Sequence, residues 1–304
     1  MWGMVIDLNK CLGCQSCTVA CKMLWSDRSG ADHMWFTIVE TRPGSGYPSN
    51  WEEKSIKRLP MANSDYETVP TFDYQKLQNN PGKGMPKVLA DLKSGPNWDE
   101  DIGQGTTVND AWFYYLPINC MHCQEPPCIP ACPEQAIYKR ADGTVLIDAE
   151  LCQGATDCVD ACPYKRIFIN KNTDKAEKCI LCYPRVEKGM PPICVQNCPG
   201  KARFFGDLDD PDSPVYQLVK TFKVALPLHP EFGTKPQIFY IPPIFGPTAI
   251  DSQGNSSGQR EDSAYLKKQF GPGIDQVKTT LERECSKKES ALMDLLCTYP
   301  TWKI

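Results

Sequence analysis

Clustered cysteines are the residues of this chain with the strongest chemical signature. Fifteen of its seventeen cysteines fall into four groups with short, repeated spacings. A tight loop that carries several thiolates, followed by a further cysteine at the start of a helix, is the ligand arrangement of an iron–sulfur cluster. The groups are Cys11, Cys14, Cys17 and Cys21; Cys120, Cys123, Cys128 and Cys132; Cys152, Cys158 and Cys162; and Cys179, Cys182, Cys194 and Cys198.

Zinc sites and disulfide bonds are the other common uses of clustered cysteines. Zinc would need pairs of Cys or His separated by a longer spacer, and His33, His122 and His229 complete no such set. A disulfide framework would leave one of seventeen cysteines unpaired and is typical of shorter secreted chains. The spacing therefore favours iron–sulfur clusters over both.

The last cysteine of each run predicts how the groups combine. In paired clusters this cysteine ligates the neighbouring cluster. Proline follows it in the last three groups, at Pro133, Pro163 and Pro199, as in bacterial ferredoxins, whereas Lys22 follows it in the first. We therefore expect groups two and three to form one two-cluster module, and groups one and four to form another.

The third group lacks one cysteine. Its spacing matches that of the first group if Ala155 stands at the second position, and a methyl group cannot bind iron. A cluster with three cysteine ligands is expected to be [3Fe–4S]. The alternative is a [4Fe–4S] cluster with water or another residue on the open iron, and Asp157 is close in sequence but out of frame. We expect three [4Fe–4S] clusters and one [3Fe–4S] cluster.

Short strands and helices must position these loops. The phrase Ile-Asp-x3-Cys occurs at 6–11 and again at 147–152, and 137–147 reads as a hairpin with Asp-Gly at its turn. Strands are also expected at 166–170 and 203–206. The sequence predicts an α+β fold with two interleaved ferredoxin-like modules. Residues 1–21 and 163–206 would form the discontinuous module A, and 120–162 would form module B.

The remaining segments are an insert at 22–119 and an extension at 207–304. The insert holds five of the seven tryptophans, which are expected to pack around the clusters and against a partner; a separate ligand site is the alternative. They are Trp25, Trp35, Trp51, Trp98 and Trp112. The extension contains proline-rich apolar stretches at 226–230 and 239–243, typical of an arm that binds a partner.

The apolar pattern predicts a helix over 274–297 at the end of the extension. Cys285 and Cys297 would lie ~18 Å apart on a continuous helix. Because a disulfide requires Cα atoms within ~7 Å, buried free thiols are expected, and ligands of a fifth cluster are the alternative.

Composition excludes several classes of partner. The formal net charge of −4 gives no reason to expect binding to nucleic acid. No run approaches the ~18 apolar residues of a membrane span. The N-terminal residues lack a basic-then-apolar signal. The chain is therefore expected to stay in the cytoplasm or to leave it attached to another subunit.

Five sequence stretches resemble the β subunits of the type II dimethyl-sulfoxide-reductase family of molybdoenzymes. That family includes nitrate, perchlorate, chlorate and selenate reductases and the ethylbenzene and dimethylsulfide dehydrogenases. The resemblance covers about residues 3 to 247. The stretches are CLGCQSCTVACK at 11–22, VETRPG at 39–44, PNWDED at 96–101, LPLHPE at 226–231 and YIPP at 240–243.

The resemblance implies an electron-transfer subunit that is not an enzyme on its own. Its partners would be a catalytic α subunit with a molybdenum bis-pterin cofactor and a haem b γ subunit or cytochrome. Carried over by position, the ligands would fall into four sets. These are Cys11, Cys14, Cys17 and Cys198, nearest the α subunit; Cys21, Cys179, Cys182 and Cys194; Cys120, Cys123, Cys128 and Cys162; and Cys132, Cys152 and Cys158 for the [3Fe–4S] cluster, nearest the haem.

Two other functions are alternatives to an electron-transfer subunit. A stand-alone polyferredoxin would carry little chain beyond its clusters, unlike this one. A self-contained redox enzyme would need a nucleotide-binding loop or an acid–base constellation, and the sequence shows neither.

The resemblance implies a periplasmic location within a complex exported on a partner's signal. The alternatives are the cytoplasm or the cytoplasmic face of the membrane.

Overall fold

Short strands and short helices alternate through the cysteine-rich part of the chain, where the cysteine loops separate one element from the next. The computed structural model describes residues 1–56, 112–244, 248–250, 253, 256–259 and 262–304. Within these ranges the fold is α+β, as the sequence predicts.

The described strands are numbered in chain order. They are β1 Trp2–Asp7, β2 Thr37–Arg42, β3 Tyr114–Asn119, β4 Ile137–Lys139, β5 Val145–Ile147, β6 Ile167–Ile169, β7 Ala176–Lys178, β8 Arg203–Asp207, β9 Leu226–Pro227, β10 Ile238–Ile241, β11 Thr248–Ile250 and β12 Ser256–Gln259.

The described α-helices follow the same numbering. They are α1 Ser16–Cys21, α2 Trp51–Ile56, α3 Cys128–Ala131, α4 Asp157–Ala161, α5 Tyr183–Val186, α6 Ile193–Gln196, α7 Pro214–Tyr216, α8 Ser263–Phe270, α9 Ile274–Cys285 and α10 Ala291–Cys297. Wider helical turns at Lys22–Ser26 and Gln217–Thr221 continue α1 and α7, and a short 3₁₀ turn spans Pro230–Phe232.

A four-stranded sheet joins segments that are far apart in sequence. Its order is β8-β1-β10-β9, with β1 parallel to β10 and antiparallel to β8. Met4, Val5 and Ile6 are all buried in β1, as expected for a central strand that is covered on both faces. This sheet holds the chain before the first cysteine group beside the chain after the fourth.

Antiparallel two-stranded ribbons complete the strand pairing: β2–β3, β4–β5, β6–β7 and β11–β12. The predicted hairpin at 137–147 is confirmed as β4–β5, with Ile137 opposite Ile147. The strands expected at 166–170 and 203–206 are present as β6 and β8.

Helices that begin at cysteine loops pack in two pairs. Helix α1 lies in the first cysteine group and contacts α6, which lies in the fourth. Helix α3 lies in the second group and contacts α4, which lies in the third. The first cysteine group therefore lies beside the fourth, and the second lies beside the third.

The proline-rich stretches after residue 206 lie within the chain's own core. Strand β10 is a central strand of the sheet, and Leu228, Ile238 and Tyr240 are buried. The sequence led us to expect an arm over another protein, but these apolar side chains already pack against β1. Partner binding by 207–304 stays a prediction.

The C-terminal helix expected over 274–297 is two helices, α9 and α10, with a break between residues 285 and 291. Ser290 caps α10, and its side chain accepts a hydrogen bond from the backbone N–H of Met293. Ile274, Val277 and Leu281 are buried as the pattern predicts. The expectation of buried thiols is wrong: Cys285 and Cys297 are both exposed, because each ends its helix.

Four of the five insert tryptophans lie in the described residues. Trp51 and Trp112 are buried in the main hydrophobic core, and Trp25 and Trp35 pack against it. Trp98 lies outside the described residues. No helix in the described part of the chain is long and apolar enough to span a membrane.

Candidate iron–sulfur centres

The first and third cysteine groups have the same loop conformation. Gly13 and Gly154 each precede the second position of the group, with φ of +65° and +77°. The residues after that position are also left-handed, with φ of 58° at Gln15 and 67° at Thr156. Only glycine adopts such φ values freely, so the loops turn sharply and direct successive side chains inward.

The first cavity, site 1, brings together thiols from groups one and four. It is lined by Cys11, Cys14, Cys17 and Cys198, together with Arg203. The Arg203 side chain donates a hydrogen bond from Nη2 to Sγ of Cys17 at 3.5 Å. Burial is the main cause that raises the pKa of Cys11 to about 12.

Site 2 is lined by the remaining cysteines of the same two groups. They are Cys21, Cys179, Cys182 and Cys194. Trp25 also lines this cavity, and its Nε1–H donates to Sγ of Cys182 at 3.1 Å. The backbone N–H of Leu181 donates to Sγ of Cys179 at 3.4 Å. Burial raises the pKa of all four thiols.

Site 3 combines three thiols of the second group with the last thiol of the third: Cys120, Cys123, Cys128 and Cys162. Burial is the largest cause that raises the pKa of Cys128, and charge on the other three thiols raises it further. The pKa of Cys123 is raised to about 12 by burial and then by charge on Cys120 and Cys162. These four sulfurs therefore lie close to one another.

Site 4 offers three thiols and one methyl group. Its cavity is lined by Cys132, Cys152, Cys158 and Ala155, and also by Asp157. Burial, followed by charge on Cys132 and Cys152, raises the pKa of Cys158 to about 12. Backbone N–H groups donate to two of its sulfurs: Ala136 to Cys132 and Ala176 to Cys152, each at 3.3 Å.

Cysteines four residues apart connect neighbouring sites. Four residues of helix rise ~6 Å, so the two thiols of each pair face adjacent cavities. Two pairs connect sites 1 and 2, and two connect sites 3 and 4. The pairs are Cys17 with Cys21, Cys194 with Cys198, Cys128 with Cys132, and Cys158 with Cys162.

Electrostatic coupling between thiols gives the order of the sites. Charge on Cys17 of site 1 raises the pKa of Cys194 of site 2, after burial. Burial is also the first cause for Cys179 of site 2, and charge on Cys120 of site 3 is the second. Charge on Cys162 of site 3 reaches Cys158 of site 4. The sites therefore follow one another in the order 1, 2, 3 and 4.

The donor sets fit iron–sulfur clusters. Sites 1, 2 and 3 each present four thiols, with no histidine or carboxylate among these ligands, and site 4 presents three. Within the described ranges, no three Cys, His, Asp or Glu side chains surround the position of a single metal ion. Thiol sets around an inorganic cluster supply one-electron transfer, whose potential depends on hydrogen bonds to sulfur, burial and charge.

Several side chains beside the sites carry no signal in the cysteine spacing. Trp25 and Arg203 donate to ligand sulfurs, and Lys22 and Lys178 are buried although they are charged. Lys22 follows the first group where proline follows the others, and its Nζ donates to the carbonyl of Asp32 at 2.9 Å. That departure from the pattern was a usable signal for Lys22 alone.

Comparison with known proteins supports the binding of iron–sulfur clusters. Residues 2–23 match the model of a 4Fe-4S binding domain, and 111–208 match that of a 4Fe-4S dicluster domain. The chain is 44% identical to the dimethylsulfide dehydrogenase subunit beta of Rhodovulum sulfidophilum, over 97% of this chain and 95% of that one. It is also 44% identical to the selenate reductase subunit beta of Thauera selenatis, with the same coverage.

The chain belongs to the family of β subunits of dimethyl-sulfoxide-reductase-type oxidoreductases. A respiratory nitrate reductase subunit beta of Haloferax mediterranei is 42% identical over 96% of this chain and 89% of its own. As a member of the β-subunit family, this chain is an iron–sulfur electron-transfer subunit, and catalysis belongs to the α subunit of such complexes.

Proposed function

We propose that this β subunit relays single electrons through four clusters between a molybdenum-containing catalytic subunit and a haem b subunit or an external carrier. Sites 1, 2 and 3 would each hold a [4Fe–4S] cluster, and site 4 would hold a [3Fe–4S] cluster. The observation that carries the proposal is a series of four thiol-lined sites in one chain, in which cysteines four residues apart join site 1 to site 2 and site 3 to site 4. Such a series is what a relay requires and what a single catalytic pocket does not.

The proposed ligand sets are those lining each site. The contacts of α1 with α6 and of α3 with α4 support the exchange of ligands within each pair of groups. They also support the two interleaved modules, because residues 1–21 and 163–206 meet around sites 1 and 2, while 120–162 supplies sites 3 and 4.

The trinuclear cluster at site 4 is supported by the loop around Ala155. That loop has the backbone conformation of the loop around Cys14, so position 155 faces the cavity without a thiol. Asp157 also lines the cavity and is exposed, and the other lining side chains that offer an oxygen in place of sulfur are Glu134, Gln153 and Thr156.

An exposed apolar surface surrounds site 1 and is the proposed docking face for the catalytic subunit. Leu12, Val19, Met23 and Leu24 are between 44% and 71% exposed, and Cys14 is exposed among them. Contiguous exposed apolar side chains are typical of protein interfaces. Burial of this surface would also exclude water from the cluster nearest the electron exchange.

At the other end of the relay, Tyr138 and Leu151 are exposed beside site 4, with 46% and 52% of their surfaces accessible. We propose this face for the haem subunit or carrier. The resemblance to the family named above supports a periplasmic location, with export on a partner's signal. Fractionation of cells that produce the tagged complex tests that location.

Metal analysis of the purified complex tests the function. The catalytic subunit produced without this chain serves as the reference. We expect the complex to contain about fifteen more irons than that reference, twelve from three cubanes and three from the trinuclear cluster. Zinc in comparable amount with little additional iron would contradict the proposal, and so would a complex without molybdenum.

A further inference from the structure

Buried cations surround the cysteine sites without carboxylate partners. Five lysines and arginines are less than 9% exposed, yet they form no ion pair with Asp or Glu in the described part of the chain. They are Lys22, Lys165, Arg166, Lys178 and Arg203. Arg42 shows the ordinary arrangement, because it pairs with Glu40 at 2.6 Å and with Glu52 at 3.4 Å. A buried charge without a counter-ion is costly.

Arg203 is the buried cation most closely associated with the cluster ligands. It lies at the start of β8, opposite Ile6 of β1, and only 1% of its surface is exposed. Its guanidinium donates to Sδ of Met4 and Oδ1 of Asn119 at 3.4 Å, and to Sγ of Cys17 at 3.5 Å. None of these partners is a carboxylate.

The partners of Arg203 place it in the wall between two sites. Arg203 itself lines site 1, whereas Met4 and Asn119 line site 2. The thiols that act on its charge belong to both sites: Cys17, Cys198 and Cys11 from site 1, and Cys194 from site 2.

The thiols take the place of the missing carboxylate. A guanidinium stays charged at any physiological pH. Arg203 is therefore a fixed positive charge, and the ligand sets of sites 1 and 2 share it.

We propose, on the ligand sets proposed above, that Arg203 raises the reduction potentials of the clusters at both site 1 and site 2. Each one-electron reduction adds one negative charge to a cluster, and a nearby cation stabilises the reduced form. The two clusters are neighbours, so the added electrons on the two reduced clusters repel each other. One guanidinium between the two clusters weakens that repulsion. The effect is larger at site 1, where Arg203 also donates directly to a ligand sulfur.

Arg203→Met removes the charge and keeps an unbranched, though shorter, side chain. The complex is titrated with reductant and followed by electron paramagnetic resonance, and Cys14→Ser and Cys182→Ser variants assign the signals of sites 1 and 2. We expect the midpoint potentials of both sites to fall, with the larger fall at site 1. Arg203→Lys keeps the charge and retains most of the potential.

Two controls separate charge from structural damage. Sites 3 and 4 in the same sample should keep their potentials. Arg140→Met removes a partly exposed arginine that pairs with Asp142 and Glu187, and it should change no potential. If Arg203→Met loses iron, Arg203→Gln decides instead. This change also removes the charge but keeps an N–H donor in the side chain, and both potentials should again fall.

Unchanged potentials at sites 1 and 2 in a fully loaded Arg203→Met or Arg203→Gln complex would overturn the proposal, and so would a fall at only one of the two sites. The ligand sets themselves are tested separately, by the iron content and the number of paramagnetic centres of the unaltered complex. A failure of the relay and a failure of the role of Arg203 are therefore distinguishable.

Discussion

Ala155 occupies the place in the third cysteine loop that Cys14 occupies in the first. Each follows a glycine with positive φ, Gly13 or Gly154, and each precedes another left-handed residue. Both side chains line a cavity with cysteines, so the two loops differ mainly in the presence of a thiol. The two loops thus share one backbone geometry, and the missing ligand results from a single side chain.

Ala155→Cys should convert the cluster at site 4. A fourth thiolate completes a [4Fe–4S] ligand set, so the variant should gain one iron and lose the oxidised paramagnetic signal of a [3Fe–4S] centre. Its potential should fall, because the added anionic ligand disfavours reduction. Iron analysis and a redox titration followed by electron paramagnetic resonance measure these changes.

Ala155→Ser is the matched control for that variant, since it adds an atom of similar reach without a soft sulfur ligand. It should keep the oxidised signal. Absence of that signal from unaltered protein prepared without oxygen would contradict the account and would mean that a fourth ligand comes from elsewhere.

Trp25→Phe should lower the potential of site 2 alone. The indole N–H donates to Sγ of Cys182 at 3.1 Å, and hydrogen bonds to cluster sulfur raise the potential. Phenylalanine keeps an aromatic ring in place but has no donor. Trp35→Phe is the control, because Trp35 stacks beneath Nζ of Lys22 and donates to no cysteine in the described residues. An equal fall in both variants would argue against the hydrogen bond as the cause.

Met23→Glu should separate the β subunit from its catalytic partner. Met23 is 71% exposed in the apolar surface around site 1, and a buried carboxylate in an interface is strongly unfavourable. The variant should keep its iron but fail to co-purify with the catalytic subunit. Tyr138→Glu, beside site 4, should leave that subunit bound. Retention of the partner by Met23→Glu would place the catalytic interface elsewhere.

Glu52→Gln should reduce stability near neutral pH and have less effect in acid. Burial opposes ionisation of Glu52, but the charge of Arg42 and hydrogen bonds from His229 and Gln269 outweigh it and lower its pKa to about 2. The stability that the carboxylate contributes is complete above its ordinary pKa, near 4.5, and is lost as pH falls toward 2.

Thermal unfolding followed by circular dichroism measures this difference. We expect Glu52→Gln to lower the free energy of unfolding by about 1–3 kcal/mol at pH 7, since Arg42 keeps Glu40 as a partner. The gap to the unaltered protein should narrow below pH 4.5. Glu53→Gln, on the exposed side of the same helix, should show a smaller effect. A gap that widens in acid would contradict the lowered pKa.

Cysteine spacing predicted much of the site because ligand geometry constrains it directly. The hairpin at 137–147 and the place of Ala155 are local features, because each depends on residues close together in sequence. The helix pairs join distant residues, but the exchange of ligands between cysteine groups predicts which helices meet.

Contacts distant in sequence could not be predicted in the same way. The segment around β10 was expected to be a free arm, because the prolines that flank the strand break the periodicity of the sequence. In the fold, β10 is instead the second neighbour of the apolar strand β1. Cys285 and Cys297 lay on an apolar helical pattern, but a break between the helices leaves both at exposed ends. The sequence did not predict that Arg203 is buried, because its counter-charges are thiols that come from both halves of the chain.

Anomalous scattering from crystals of the complex, recorded at the iron and zinc absorption edges, tests the central claim most directly. We predict four iron peaks within this chain, one between the cysteines of each site and in the order 1, 2, 3 and 4, with the peak nearest Ala155 trinuclear. The anomalous signal at these positions should not rise across the zinc edge. Iron in fewer than four of the sites, or zinc in any of them, would contradict the account.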